Sequence, residues 1–199
     1  MKTSIFLNDI LTKGAILGGV MLASNIAENA MFYYGGTLSW LGVYGIEWLI
    51  AIALYCYLLY RFTRNYANLV VEERKDLPYF TYGNGLSYAV LVSMLAGVVV
   101  SIGAYMFQHY VIGYENFINH YIEFIQTTVA QSGVQMPDMQ TALGEVINQL
   151  KNTPEPSIIS ALISGVWSYL IAGTFVGLIV AAFTKRNVQL FDNDEEYEE

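Results

Sequence analysis

Charge is scarce in this chain: Asp, Glu, Lys and Arg make up 13% of its 199 residues, while 55% are hydrophobic. A soluble domain of that length cannot hide so much apolar surface, so the composition places the chain among membrane proteins. Cysteine is nearly absent. The single Cys56 lies inside an apolar run, which excludes an internal disulfide and leaves the redox compartment unreadable. No set of His, Cys, Ser and Asp residues is spaced as a nucleophile with its base or as a metal cluster, so neither an enzyme nor a metal or cofactor site is expected. No nucleic-acid partner is expected either.

What the chain does have is long apolar runs. Leu11–Tyr33, Gly45–Phe62, Leu86–Tyr110 and Ile158–Thr184 each reach roughly the 20 residues that cross a hydrocarbon core of about 30 Å at about 1.5 Å per residue. Barrel strands would be shorter and would alternate. The fold class is therefore all-α, a polytopic membrane protein with four transmembrane helices and an amphipathic helical hairpin between the third and fourth. The first run is longer than the core of a signal peptide, about 7 to 15 residues, and lacks a clean small-x-small cleavage site, so it is read as a span.

Basic residues give the orientation. Lys2, Lys13, Arg61, Arg64, Arg74, Lys75, Lys185 and Arg186 fall at the ends and loops on one side, and only Lys151 falls on the other. That asymmetry puts both termini and the loop Thr63–Gly85 in the cytoplasm. The charged patch Glu72–Asp76 in this loop, with Pro78, Gly83 and Gly85 after it, reads as a turn feeding the third span and not as a phosphate loop. Tyr33, Tyr34, Trp40, Tyr44 and Trp48 surround a turn over Gly35–Val43 and mark the opposite membrane boundary. Tyr55, Tyr57 and Tyr60 read as packing residues of the second span.

Small residues recur at helical spacing. Gly14 and Gly18 do so in the first span, Ala89, Ser93, Gly97 and Ser101 in the third, and Ala161, Gly165, Ser168 and Ala172 in the fourth, with Gly173 and Gly177 on a neighbouring stripe. Such seams let backbones approach and predict a tight bundle or a dimer. Between the third and fourth spans, Tyr114, Phe117, Ile118, Tyr121, Ile122, Ile125 and Val129 define an amphipathic helix ending near Ser132-Gly133. A second follows Pro137 with Met139, Leu143, Val146, Ile147 and Leu150, and stops before Pro154. Asn116, His120 and Glu123 read as the solvated face of the first of these helices, because a lone His/Glu pair lacks further metal ligands. The acidic end, Asp192 to Glu199, has no basic residue and reads as a disordered cytoplasmic tail. The chain thus divides into residues 1–110, 111–157, 158–186 and 187–199.

The segment Pro78-Tyr79-Phe80-Thr81-Tyr82-Gly83-Asn84-Gly85 and the exit Gly177-Leu178-Ile179-Val180-Ala181-Ala182-Phe183-Thr184-Lys185-Arg186 resemble a Bacteroidota integral membrane family called domain of unknown function 4199. The resemblance implies a bacterial inner-membrane location and brings no catalytic residues.

Polar residues inside a span are the remaining signal. At 100° per residue, Gly14, Gly18, Asn25 and Asn29 fall within an arc of about 60°, and Glu28 lies about 40° beyond it. One reading is a packing seam in which Glu28 snorkels. The other joins Asn25, Glu28, Asn29 and Glu47, with His109, in one site in the outer leaflet. Counted from Lys13, Glu28 lies about 22 Å up a core of about 30 Å, and Glu47 reaches a similar depth on the adjoining helix. With no Lys or Arg at that depth, two neighbouring carboxylates must hold a proton, bind a cation or reach water. The function expected is that of a non-enzymatic accessory or scaffold subunit, whose partners are the lipid bilayer and either a second copy or another membrane protein. The alternative is transport of a small solute, ion or proton through the Glu28/Glu47 site.

Overall fold

The computed structural model describes residues 3–34, 40–73, 79–131 and 137–186, and these form six α-helices and one π-helical segment. They are α1 (Thr3–Tyr34), α2 (Trp40–Glu73), α3 (Tyr82–Met106) continuing into the π-helical Phe107–Ile112, α4 (Tyr114–Gln131), α5 (Pro137–Asn152) and α6 (Ile158–Thr184). Four stretches, Phe6–Tyr33, Gly45–Glu72, Tyr82–Ile112 and Ile158–Thr184, are long and apolar enough to cross a membrane. The chain is a multi-pass membrane protein. Its outer surface agrees: along α6, Ile159, Ile163, Trp167, Ile171, Phe175, Ile179 and Phe183 recur at every fourth position and each is more than half exposed. Lipid covers such a row at no cost, whereas water would not.

Helix α3 is the axis of the bundle, with α6 packed along one side and α1 along another. Both α3 contacts are made by rows of small residues. Ala89, Ser93, Gly97 and Ser101 of α3 face Gly177, Gly173 and Gly165 of α6, with Tyr169 filling the space beside Gly97. Gly14 and Gly18 of α1 lie against Leu95, Ala96 and Val99 of α3. Rows spaced by four on facing helices let the ridge of one enter the groove of the other, and missing side chains let the backbones close in. The seam on α6 differs in part from the spacing rule. Ser168 is exposed and turns its hydroxyl onto Ser164 O at 2.9 Å, and Ala161 is only half-buried. The row at four-residue steps, Gly165 through Tyr169 and Gly173 to Gly177, is the one that packs.

Helix α2 corrects the reading of Thr63–Gly85 as a loop. It stays helical to Glu73, because Tyr55, Leu59, Phe62, Thr63, Tyr66, Ala67 and Val70 form one buried stripe that passes straight through the arginines. Arg61 and Arg64 stand on the opposite, exposed side. Tyr66 stacks on Tyr88 of α3 with centroids 4.3 Å apart and planes 3° from parallel, and Phe6 and Phe80 close the same cluster. The Tyr88 hydroxyl is buried and donates to Asp9 Oδ2 at 2.5 Å. Gly83 and Gly85 also lie inside α3, whose N-terminus is capped by Thr81 Oγ1 accepting from the Asn84 N–H at 3.2 Å. A short antiparallel bridge pins this end: Phe80 N–H donates to Arg186 O at 3.1 Å and Arg186 N–H to Phe80 O at 2.9 Å. The Arg186 guanidinium also donates to the Asn68 side chain.

At the other end Gly113, with φ of 85°, breaks the helix and starts α4. Phe32 near the end of α1 is ringed by Phe117, His120, Tyr121 and Phe124 of α4, with centroids 5.2–6.1 Å away. His120 is therefore not on a solvated face: its Nε2 lies 3.0 Å from the Phe32 carbonyl, to which it donates. Helix α5 touches α4 and is mostly exposed from residue 141 onward. The Ser132-Gly133 turn that would make α4 and α5 a hairpin lies outside the described residues, as do residues 35–39, Arg74 to Pro78 and the acidic tail. Because α2 begins at Trp40, the connection after α1 is shorter than Gly35–Val43.

Candidate functional site

Two turns above Leu17, the tight α1–α3 contact gives way to polar side chains. Helix α1 presents Ser24, Asn25 and Glu28 toward α2, and α2 presents Glu47 back. These residues line a cavity of about 300 Å³ bounded by α1, α2 and α6. The Ser24 hydroxyl donates to Glu47 Oε1. Ser24 and Glu28 are one turn apart, so both point into the same space. Glu28 and Glu47 are each half-buried. The rest of the wall is aromatic or aliphatic, with Trp48, Ile52 and Ala172 on its exposed side and Tyr55 and Tyr169 deeper. Trp48 and Ile52 are 60% and 41% exposed, so the mouth of the cavity lies on the lipid-facing surface.

The floor is held by hydroxyls. Tyr55 OH donates to Ser93 Oγ at 2.8 Å, and Ser93 Oγ donates to Ala89 O at 2.8 Å. Tyr55 meets Tyr169 edge to face at 6.0 Å. Gly173 makes this possible, because it leaves room for Ser93 directly beneath. The small-residue seam and the floor of the cavity are thus one piece of structure.

Asn25 and Glu28 line a second cavity as well, of about 240 Å³, together with Asn29, Phe32, Gln108, Phe117 and Tyr121. Here the amides form a ladder: Asn29 Nδ2 donates to Asn25 O at 2.7 Å and to Asn25 Oδ1 at 3.1 Å, and Gln108 Nε2 donates to Asn29 Oδ1 at 3.4 Å. Phe117 and Tyr121 of α4 roof this space. Asn25 and Glu28 therefore stand between an acidic, aromatic cavity facing lipid and an amide-lined one beneath α4.

The structure brings together Asn25, Glu28 and Glu47 around one cavity, and Asn25, Glu28 and Asn29 around the other. It does not bring His109 to either. Successive side chains point in different directions around a helix axis, so with Gln108 turned onto Asn29, His109 faces sideways. Its ring lies between Tyr105 and Tyr114, with centroids at 3.8 and 5.3 Å. His109 Nδ1 lies 2.9 Å from Tyr105 O, and Nε2 is 3.0 Å from Glu155 Oε1 but out of line for a hydrogen bond. Sequence reasoning missed Ser24, Trp48, Tyr55 and Tyr169. Ser24 was findable, one turn before Glu28 on the same helix face. Tyr169 was not, because only the packing of α6 on α3 carries it to this place.

The profile of a family described as a protein of unknown function (DUF4199) matches residues 12–186. The chain belongs to this family. No curated protein and no solved structure matches it. The DUF4199 match takes in every residue that lines either cavity, the glycine seams, and the bridge between Phe80 and Arg186. For this DUF4199 chain the candidate site rests on geometry.

Proposed function

We propose that this DUF4199 protein is a non-enzymatic protein of the bacterial inner membrane, with both termini in the cytoplasm, that holds a small solute or ion in the outer-half cavity between α1, α2 and α6. The observation that carries the reading is that Glu28 and Glu47, from different helices, line one cavity whose lining contains no Lys, Arg or His. An acid inside a span is costly, so its presence there points to a site. The orientation draws support from Lys13, Arg61, Arg64, Lys185 and Arg186 gathering at one end of the spans while Lys151 alone marks the other. The non-enzymatic part draws support from the cavity chemistry. Ser24 has a carboxylate beside it but no imidazole to relay a proton, and the surrounding backbone N–H groups are consumed by the helices, leaving none to hold an oxyanion.

A second reading, an accessory or scaffold subunit, is favoured by a separate observation. The α1–α3–α6 rows interlock too closely for the helices to slide as alternating access asks. Binding without transport, or binding that signals occupancy to a partner membrane protein, suits such a core. The cavity reading is tested with a Cys56→Ser, Ala172→Cys variant in lipid nanodiscs, followed by the rate of thiol labelling at position 172. Some solute, drawn from cations, anions and neutral molecules, is expected to slow labelling in a saturable way. An equal rate with every solute, while the thiol remains reactive, overturns it.

A further inference from the structure

The geometry points to an organic ammonium group, an alkylated or primary amine cation, as the occupant of the Glu28/Glu47 cavity. This rests on the reading that the cavity is a binding site and adds the chemistry of what it takes. Three features converge. The lining carries two carboxyl groups and no basic side chain, so the field inside favours positive charge. The remaining wall is largely carbon and includes the rings of Trp48, Tyr55 and Tyr169. Aromatic faces attract an ammonium ion and accept its alkyl groups at the same time. The volume of about 300 Å³ stands at the small end of the range for small-molecule sites, roughly 300 to 1,000 Å³.

The same features argue against a hard inorganic cation. A calcium ion takes about six to eight oxygen ligands. Here the side-chain oxygens outside the aromatic wall are those of Ser24, Asn25 and Glu28 on α1 and of Glu47 on α2, too few for such a shell, and the Ser24 hydroxyl is already committed to Glu47. A strongly hydrated ion would have to trade water for carbon on the remaining walls, whereas an alkylammonium ion loses little there. The mouth beside Trp48 and Ile52 opens on the lipid side, so the ammonium group can arrive on a phosphatidylethanolamine headgroup or on a free amine. The recognising chemistry is common to both.

The full-length protein is purified into nanodiscs of phosphatidylglycerol and titrated calorimetrically with tetramethylammonium and n-butylammonium chloride, with sodium chloride and isobutanol as controls. A parallel arm uses native mass spectrometry after doping the discs with phosphatidylethanolamine. Saturable binding of the ammonium ions is expected, weakened at least tenfold in Glu28→Gln/Glu47→Gln. Retention of phosphatidylethanolamine over phosphatidylglycerol, lost in the same variant, assigns the group to a lipid; binding of the soluble ions alone assigns it to a free amine. Ala172→Trp, which sets an indole on the cavity wall and leaves both carboxyls in place, is expected to abolish either signal and decides the matter should the double glutamine variant not fold. Sodium or isobutanol binding as well as the ammonium ions overturns the ligand class. So does an affinity unchanged in both the glutamine and the Ala172→Trp proteins, or the failure of any ammonium ion or headgroup to bind. In those cases protection of the position-172 thiol by another solute leaves the cavity reading standing, and protection by none removes both.

Discussion

Gly173→Ala probes the place where the seam and the cavity floor coincide. A methyl group on Gly173 would lie 2.4 Å from Ser93 Cβ and 2.6 Å from Ser93 Oγ. Carbon atoms prefer separations of about 3.5 to 4.0 Å, so rotating the serine hydroxyl cannot relieve the clash. Helix α6 must back away from α3 by about 1 Å, or Ser93 must shift with its backbone. Overpacking of this kind costs about 1 to 3 kcal/mol. Displacing Ser93 also disturbs its buried 2.8 Å bond from Tyr55, worth about 0.5 to 1.5 kcal/mol. The higher helix propensity of alanine returns up to about 1 kcal/mol. The net expectation, with the full alanine gain subtracted, is a loss of about 0.5 to 3.5 kcal/mol. Gly19→Ala is the matched control, since nothing lies within 4 Å of a methyl group there, and it should be neutral or slightly stabilising. Reversible unfolding in mixed micelles, followed by far-ultraviolet circular dichroism, compares the two. A Gly173→Ala protein as stable as wild type, or a Gly19→Ala protein equally harmed, refutes the seam argument.

Tyr55→Phe removes the hydroxyl that donates to Ser93 while Ser93 keeps its own bond to Ala89 O, so a loss of about 0.5 to 1.5 kcal/mol is expected in the same unfolding assay. Phe32→Ala deletes the ring about which Phe117, His120, Tyr121 and Phe124 gather. Amide exchange should rise through α4 and stay unchanged at the centre of α3, and unaltered exchange in α4 would show that another contact holds that helix. For topology, single cysteines at Ser132 and Asn193 in a Cys56→Ser background should react with impermeant maleimide from opposite sides of the membrane. Labelling of Ser132→Cys from the cytoplasmic side alone inverts the orientation.

The spans were legible because hydrocarbon imposes one length and one composition, and the row Ala89, Ser93, Gly97 and Ser101 was legible because close approach needs small residues at a fixed step. The end of α2 was not, since Arg61 and Arg64 interrupt the hydropathy while the buried stripe from Leu59 to Val70 continues on the other face. A scan that averages over all faces reads such a helix as ended; a face-by-face count would have kept it. The sequence pairs Glu28 and Glu47 by similar depth on adjoining helices, and depth is one coordinate. Their meeting also depends on which way each helix is turned, and the packing of α1 on α3 fixes that for α1. His109 shows the converse, having suitable depth but a side chain turned toward Tyr114. The pair of Tyr88 and Asp9 had no signature, because neither residue is unusual near a membrane boundary.

Whether Glu28 and Glu47 share one cavity is tested most directly by a double-mutant cycle on Glu28→Gln and Glu47→Gln. Unfolding free energies of wild type, both single variants and the double variant are measured in one detergent without added ligand. Groups that share a site couple by about 0.5 to 3 kcal/mol, whereas independent groups add to within about 0.3 to 0.5 kcal/mol. A coupling of at least about 0.5 kcal/mol is expected, with the second substitution changing stability by a different amount once the first is made. Strict additivity would show that the two carboxyls do not sense one another, and the shared site would fall.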